Sequence, residues 1–353
     1  MKDEITKYLE DSFIKQFLCD EISEISYNGA DIYINFINRP RVKSEIMVDK
    51  NQAYDLVKHI ADLSGMNFNL LSPILDVSFG YYRLNAIHNS VAFDGNEGSV
   101  TFIIRVIFSE FRIKKNDENL CPIIVHELIR EVLQKNHSII ISGVTGSGKT
   151  ELQKYMLSLI PKYHRLIMIE DTPETNVKKL IKDLDISVWL AKESINKRNI
   201  LRDLIKAGLR NNPDWLTISE IRSEEMIELF QTATSGISII TTIHSKSARD
   251  VPTRMLQLMS KSEFYTKNDL KKEIRNYFNF FFHMRKIYKN KEIIVRNIEE
   301  VYLTCVVEGK IFDRTIYRSD EKGEMIFNDI PQDIKNALNL SDDVWNIKEN
   351  RNE

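Results

Sequence analysis

Apolar positions in the first twenty residues fall three and four apart, at Ile5, Leu9, Phe13, Ile14, Phe17 and Leu18. That spacing lines one face of a helix, so residues 1 to about 20 are predicted to form a short amphipathic helix. Alternating stretches come next, Ile22 to Tyr27 and Asp31 to Ile37, and the Asn28-Gly29 dipeptide between them tolerates the positive φ of a tight hairpin turn. The helical period returns from Gln52 to Ser64 through Ala53, Leu56, Val57, Ile60 and Leu63, and Gly65 suits a left-handed cap behind it. Gly80 to Ile87 and Ser99 to Phe108 read as two more strands, joined through the turn-rich run Asp94 to Gly98. Strands, one helix and strands again predict a compact N-terminal α+β domain over residues 1–109.

From Glu110 to Leu120 the chain is polar, with Arg112, Lys114, Lys115, Asp117 and Glu118 and few apolar anchors, and reads as an interdomain linker. Over residues 121–353 the texture changes. Short β-rich runs, Ser138 to Ile141, Leu166 to Ile169, Leu216 to Ile218 and Ile237 to Ile243, alternate with helical segments. Each is apolar enough to be buried on both faces, which predicts parallel strands in a doubly wound α/β domain. Tyr277 to Phe282 and Ile293 to Val307, split by Lys289-Asn290-Lys291, predict an antiparallel hairpin appended to that sheet.

Composition narrows the function. With 49 basic against 51 acidic side chains, no global basic coat for nucleic acid is available. An apolar fraction of 42% excludes intrinsic disorder and is ample for two cores. Cys19, Cys121 and Cys305 lie too far apart for a disulfide scaffold or a zinc site, so a reducing compartment is expected. Lys2, Asp3, Glu4, Glu10 and Asp11 interrupt any signal-peptide pattern, and no 18 apolar residues run together. The expectation is a soluble cytoplasmic protein whose membrane association comes only through a partner.

Candidate chemistry begins at Gly143-Val144-Thr145-Gly146-Ser147-Gly148-Lys149-Thr150, which matches the P-loop pattern between an apolar strand and a helix-compatible segment. Gly143, Gly146 and Gly148 let the backbone curl until its N–H groups converge on phosphate oxygens, together with those of Thr145 and Ser147. Lys149 would reach the β- and γ-phosphates and Thr150 would ligate Mg²⁺. Hydrolysis also needs acids near the metal and the water. Glu170-Asp171 ends one apolar run and Glu220 ends another, so both would emerge at the carboxyl edge of a parallel sheet. A strand-end carboxylate that caps the next segment is the alternative for either. His244 ends the fourth run, where an imidazole would contact a terminal phosphate or serve only the fold.

These residues together resemble the secretion-superfamily traffic ATPases of type II and type IV secretion, type IV pili and conjugation, most closely their CpaF-like branch. Four motifs stand in order: the P-loop, the acidic box Ile169-Glu170-Asp171-Thr172-Pro173-Glu174, a divergent Walker B at Ser219-Glu220-Ile221-Arg222, and the histidine box Thr241-Thr242-Ile243-His244-Ser245. Leu209 to Asp214 resembles the family's approach to Walker B, and Glu24 to Gly29, Pro73 to Asp76 and Tyr82 to Ala86 resemble its N-terminal domain. The resemblance implies an N-terminal α+β domain followed by a RecA-like P-loop domain with a mostly parallel sheet. It also implies ATP and Mg²⁺, a homo-hexamer, and docking on a membrane-embedded secretion or pilus platform at the inner face of the membrane. Carried over by position, Glu220 would polarise the attacking water, Glu170 would assist at the metal with Thr150, and His244 would sense the γ-phosphate. Arg83 or Arg105 would supply the arginine that the N-terminal domain brings to the nucleotide, and Arg210 and Arg222 would stabilise charge in cis or across a subunit boundary.

The sequence departs from the family at three points. Ser219 stands where glycine is usual, Ile237 replaces a histidine after Gly236, and a proline pair common near His88-Asn89 is absent. Ile237 removes a polar group from the histidine box and bears on turnover or subunit coupling. Two other functions stay open at this level: a P-loop DNA translocase, disfavoured by the balanced charge, and a nucleotide-gated assembly scaffold with little hydrolysis.

Overall fold

The computed structural model describes residues 2–191, 200–259, 267–289 and 292–346. They form two compact units: Met1–Ser109 with Tyr288–Val295, and Glu110–Ile287 with Arg296–Glu353.

In the first unit the amphipathic N-terminal stretch divides. Helix α1 (Lys2–Asp11) stops at Ser12, whose hydroxyl donates to the Leu9 carbonyl and accepts the Ile14 N–H. A hydroxyl that bonds its own backbone competes with the helical ladder, and the chain continues as a single 3₁₀ turn, Phe13–Phe17. The apolar face survives the break, because Ile5, Leu9, Ile14 and Phe17 are all buried. Strands β1 (Ile22–Tyr27) and β2 (Ile32–Phe36) form the expected hairpin, and β3 (Val42–Lys43) extends it. Helix α2 (Lys50–Leu63) begins in a capping box of Asp49 and Gln52 and ends just before Gly65 at φ +67°. Strands β4 (Ile74–Phe79), β5 (Tyr82–Ile87) and β6 (Thr101–Val106) complete an antiparallel sheet of order β3-β2-β1-β6-β5-β4. The sequence pattern does not mark β4: it is an edge strand in which only Leu75 and Phe79 are buried. Strand β5 alternates buried and half-buried positions, as one wet sheet face requires.

The second unit runs α3 (Ile123–Gln134), β7 (Ile139–Gly143), α4 (Lys149–Ser158), β8 (Arg165–Glu170), α5 (Val177–Leu180), β9 (Asp185–Leu190), α6 (Ile200–Gly208) and β10 (Trp215–Ile221). It continues through α7 (Glu225–Thr234), β11 (Ser238–Ile243), α8 (Val251–Met259), α9 (Lys267–Tyr277), β12 (Phe280–Lys289), β13 (Ile293–Val307), β14 (Lys310–Ser319), β15 (Met325–Phe327) and α10 (Gln332–Ala337). Its sheet has the order β15-β14-β13-β12-β7-β11-β10-β8-β9, and the neighbours from β12 to β9 are all parallel. Every residue of β11 is buried, in contrast to the alternation of β5. Leu166, Met168 and Trp215 enter the core cluster that includes α3 and α4 residues, whereas Ile167, Ile169 and Leu216 join the cluster formed with α6 to α9. The expected appended strands are present: β12 and β13, consecutive in the chain, are neighbours in the sheet, and β14 and β15 continue antiparallel beyond them, while the phenylalanine-rich run also joins the parallel part of the sheet. It is β12, paired in parallel with β7, and Phe280, Phe281 and Phe282 are fully buried inside the sheet. The expected turn at Asn290-Lys291 lies outside the described residues.

Candidate functional site

The parallel strands end along one edge, and the candidate residues stand there. After β7 the chain turns through Gly143 (φ +151°), Gly146 (φ +73°) and Gly148 (φ +97°) before α4 begins. A Cβ on Gly143 would stand 2.5 Å from both the Met284 carbonyl oxygen and Ser147 Oγ, so only glycine admits this close turn. Lys149 opens α4, 8% exposed, and its ammonium donates to the carbonyls of Gly143 at 3.0 Å and Val144 at 3.2 Å. Burial pushes the Lys149 ammonium below its usual pKa, and the negative charge of Glu220 opposes that shift. Ser147 Oγ is buried without a hydrogen-bond partner, while Thr145 is exposed and Thr150 half-buried. One turn into α4, Gln153 Nε2 donates to Thr217 Oγ1 and the Ile218 carbonyl and thereby ties the helix to β10.

At the tip of β10, Glu220 Oε2 accepts from Arg222 Nε at 3.0 Å and from Nη2 at 2.9 Å. His244, just past β11, brings Nε2 to 2.6 Å from Glu220 Oε1, a close contact without hydrogen-bond alignment. Arg222 Nη1 lies 3.3 Å from Asp171 Oδ2, and Ser219 Oγ donates to Asp171 Oδ1 at 3.1 Å. Three strand tips thus build one cluster of Asp171, Ser219, Glu220, Arg222 and His244. Asp171 is the member that sequence reasoning named beside Glu170, at the end of its apolar run and in the acidic box, without a role of its own. The signal for it was the period of two, because successive side chains at the end of β8 point to opposite sides.

Glu170 is the other side. It is 2% exposed, and its Oε1 accepts the backbone N–H groups of Glu174 at 3.1 Å and Thr175 at 2.9 Å. Burial pushes its carboxyl upward in pKa, against the lowering effect of those N–H groups. In this arrangement Glu170 holds the loop of its own acidic box.

The remaining candidate arginines stand each on its own element. Arg210 is exposed on the 3₁₀ turn Leu209–Asn211 that precedes β10, whereas Glu220 stands near the other end of that strand. Arg83 and Arg105 face each other across β5 and β6 in the first unit, and Arg83 holds Asp76 with two bonds, Nε to Oδ1 at 3.1 Å and Nη2 to Oδ2 at 2.9 Å. Ile237 packs half-buried against the apolar core beside α7, which accounts for an apolar residue in the histidine box.

The donor set suits a magnesium triphosphate. Left-handed glycines, a helix N-terminus and a buried lysine form an anion cradle, and the hydroxyl of Thr150 with nearby carboxylates offers the hard oxygens that Mg²⁺ selects. The buried Ser147 Oγ and Glu220 Oε1, each without a hydrogen-bond partner in the protein, are polar atoms such a group would satisfy.

Several known proteins are similar to this chain. An uncharacterised Bacillus anthracis protein is 32% identical over 82% of this chain and 66% of its own length. The type IV secretion system protein VirB11 of Bartonella henselae is 31% identical over 38% of each chain. This chain therefore spans just under two thirds of the first relative and well under half of the second. Among solved structures, the Legionella pneumophila ATPase DotB superposes with a TM-score of 0.63 at 18% identity, covering 86% of this chain and 81% of DotB. The pilus retraction motor PilT, solved with bound ADP, gives 0.56 at 18% identity over 84% and 82% of the two chains. At that identity both show a shared fold. The family model described as type II/IV secretion system protein matches residues 102–279, half of the sequence and all four motifs, and this chain belongs to that family.

Proposed function

We propose that this chain binds Mg²⁺-ATP at Gly143 to Thr150 and hydrolyses it, and that it works as a homo-hexameric motor for a type IV secretion, conjugation or pilus-type apparatus. The observation that carries the reading is the convergence on Glu220: Arg222 and His244 touch its carboxylate, and its charge acts on Lys149. Lys149 would leave its loop carbonyls for the β- and γ-phosphates. Glu220 would orient the attacking water and draw off its proton as the bond from the γ-phosphorus to the departing ADP oxygen breaks. Thr150 with Glu220 and Glu170 would hold Mg²⁺, Glu170 by giving up the Glu174 and Thr175 N–H groups it accepts, and the ion would supply charge neutralisation to the transferring phosphoryl group. His244 would register loss of the γ-phosphate, and Arg222, released from Glu220, would answer the charge that develops during transfer. Exposed Arg210 suits a role across a subunit boundary, and Arg83 or Arg105 would be the first unit's contribution to the nucleotide.

Family membership and the likeness to DotB and PilT support motor work, in which hydrolysis changes the angle between rigid bodies. Head-to-tail contacts generate closed rings when the rotation closes. No helix among the described residues is long and apolar enough to cross a membrane; docking on a membrane-embedded platform from the cytoplasmic side is supported by the family match. Phosphate release by wild type beside Glu220→Gln tests the reading: a loss of about 100-fold is expected. Equal near-background rates would leave a nucleotide-gated scaffold, and hydrolysis stimulated by DNA would indicate a translocase.

A further inference from the structure

The outer side of the phosphate loop is covered by side chains that lie about 140 to 150 positions away in sequence. Arg296, on β13, donates from Nε to the Gly146 carbonyl at 2.7 Å. Its Cδ would lie 3.5 Å from a Cβ on Gly148, the Met284 Cε 3.3 Å from the same point, and Lys286 Nζ 3.9 Å from a Cβ on Gly146. Both glycines have left-handed φ, so the loop leaves no side chain of its own between its backbone and these neighbours.

A trans peptide is planar, and its carbonyl and the N–H after it point in opposite directions. The bond that draws the Gly146 carbonyl outward to Arg296 therefore turns the Ser147 N–H inward, where it lies 3.2 Å from the Val144 carbonyl oxygen. Inward is also where Lys149 Nζ meets the carbonyls of Gly143 and Val144. The P-loop pattern requires N–H groups on that inner side, because they face the phosphate oxygens. Within the motif the Ser147 N–H donates to the Val144 carbonyl; glycine at 146 otherwise lets this peptide rotate at little cost, and the Arg296 bond adds a hold on the same plane from outside the motif.

We propose that Arg296 is a positioning residue of the phosphate loop. Its Nε holds the Gly146–Ser147 peptide with the carbonyl outward and the N–H toward the triphosphate, and so orders the cradle before nucleotide arrives. The inference rests on nucleotide binding at Lys149. It predicts an effect on nucleotide affinity and KM that leaves kcat at saturation largely intact, because the guanidinium acts through the loop.

The test is titration of the full-length protein with a fluorescent N-methylanthraniloyl ATP, together with kcat and KM for ATP, in Arg296→Ala, Arg296→Met, Arg296→Gln and Arg296→Lys. In glutamine, Nε2 is attached to Cδ as Nε is in arginine, so Arg296→Gln keeps the donor and loses the charge. The expected result is affinity weakened about tenfold in the alanine and methionine variants, with kcat within about twofold, and most of the affinity restored by glutamine. Equal affinities for the glutamine and methionine variants would overturn the proposal, as would wild-type affinity in the alanine variant. Rescue by lysine and not by glutamine would overturn it in favour of plain charge. Should the alanine variant fail to fold, the difference between glutamine and methionine decides alone. Lys149→Ala, titrated alongside, separates the two readings: undiminished binding there removes the nucleotide site itself, whatever Arg296 does.

Discussion

The tips of β8 and β10 begin alike, each a largely buried parallel strand with a glutamate at its last position or the one before, and diverge from there. Glu170 turns into the protein, is 2% exposed and accepts two N–H groups of its own loop. Glu220 keeps 16% of its side chain exposed and meets the Arg222 guanidinium, two residues on, and the His244 imidazole from the end of β11. The difference lies in the segment that leaves each strand. After Glu170 the chain curls through Thr172 to Thr175 and presents backbone N–H groups to the carboxylate, whereas after Glu220 it presents Arg222. A carboxylate that accepts backbone N–H groups is a structural device until something displaces them, and one that meets movable side chains can change partners during a reaction.

Substitutions should separate the two tips. The largest effect belongs to the cradle both would serve: Lys149→Ala should weaken ATP binding by about 100-fold or more, read by equilibrium titration. Glu220→Gln should leave ATP affinity within about threefold and reduce phosphate release by about 100-fold. Glu170→Gln keeps an oxygen for the Glu174 and Thr175 N–H groups. It should cost about tenfold in turnover and shift the Mg²⁺ dependence to higher concentration, because the neutral amide is a weaker oxygen ligand. Glu170 has a folded pKa raised above its unfolded value of 4.5, so any stability it adds is present at acid pH and lost as pH rises. Its glutamine variant should therefore melt at or above the wild-type temperature near neutral pH, whereas Glu170→Ala orphans two N–H groups and should lose about 2 kcal/mol.

The smallest effect comes from histidines of the second unit. Burial holds His126, His137 and His283 below the ordinary pKa of 6.5. An imidazole with a depressed folded pKa is easier to protonate in the unfolded chain. Stability is then full above the unfolded pKa and falls as pH drops through it toward the folded value. Urea midpoints should decline between pH about 7 and about 5.5, and the decline should shrink in His126→Gln, whose ring bonds Tyr155 and the Asp117 carbonyl in the wild type.

Much of this site was legible in the sequence because its chemistry is local. The P-loop needs closely spaced glycines between a strand and a helix, and the acids and His244 stand at the ends of apolar runs. Direction was not legible: nothing in Ile169-Glu170-Asp171 says which of two adjacent carboxylates turns outward, since that depends on the pleat at the end of β8. Arg296 was invisible for another reason. Its partner is a backbone carbonyl 150 positions away, brought near by the pairing of β12 with β7 and its neighbour β13. Strand β4 and the break at Ser12 escaped because an edge strand buries little and a single hydroxyl can displace a helical bond.

The measurement that bears most directly on Glu220 is a single turnover of pre-bound ATP, monitored by quenched-flow product analysis in wild type and Glu220→Gln at matched occupancy. ATP that stays bound and intact in the variant, while wild type converts it to ADP and phosphate, is the predicted outcome. Cleavage at the wild-type rate in the variant would contradict the assignment of Glu220 to the attacking water.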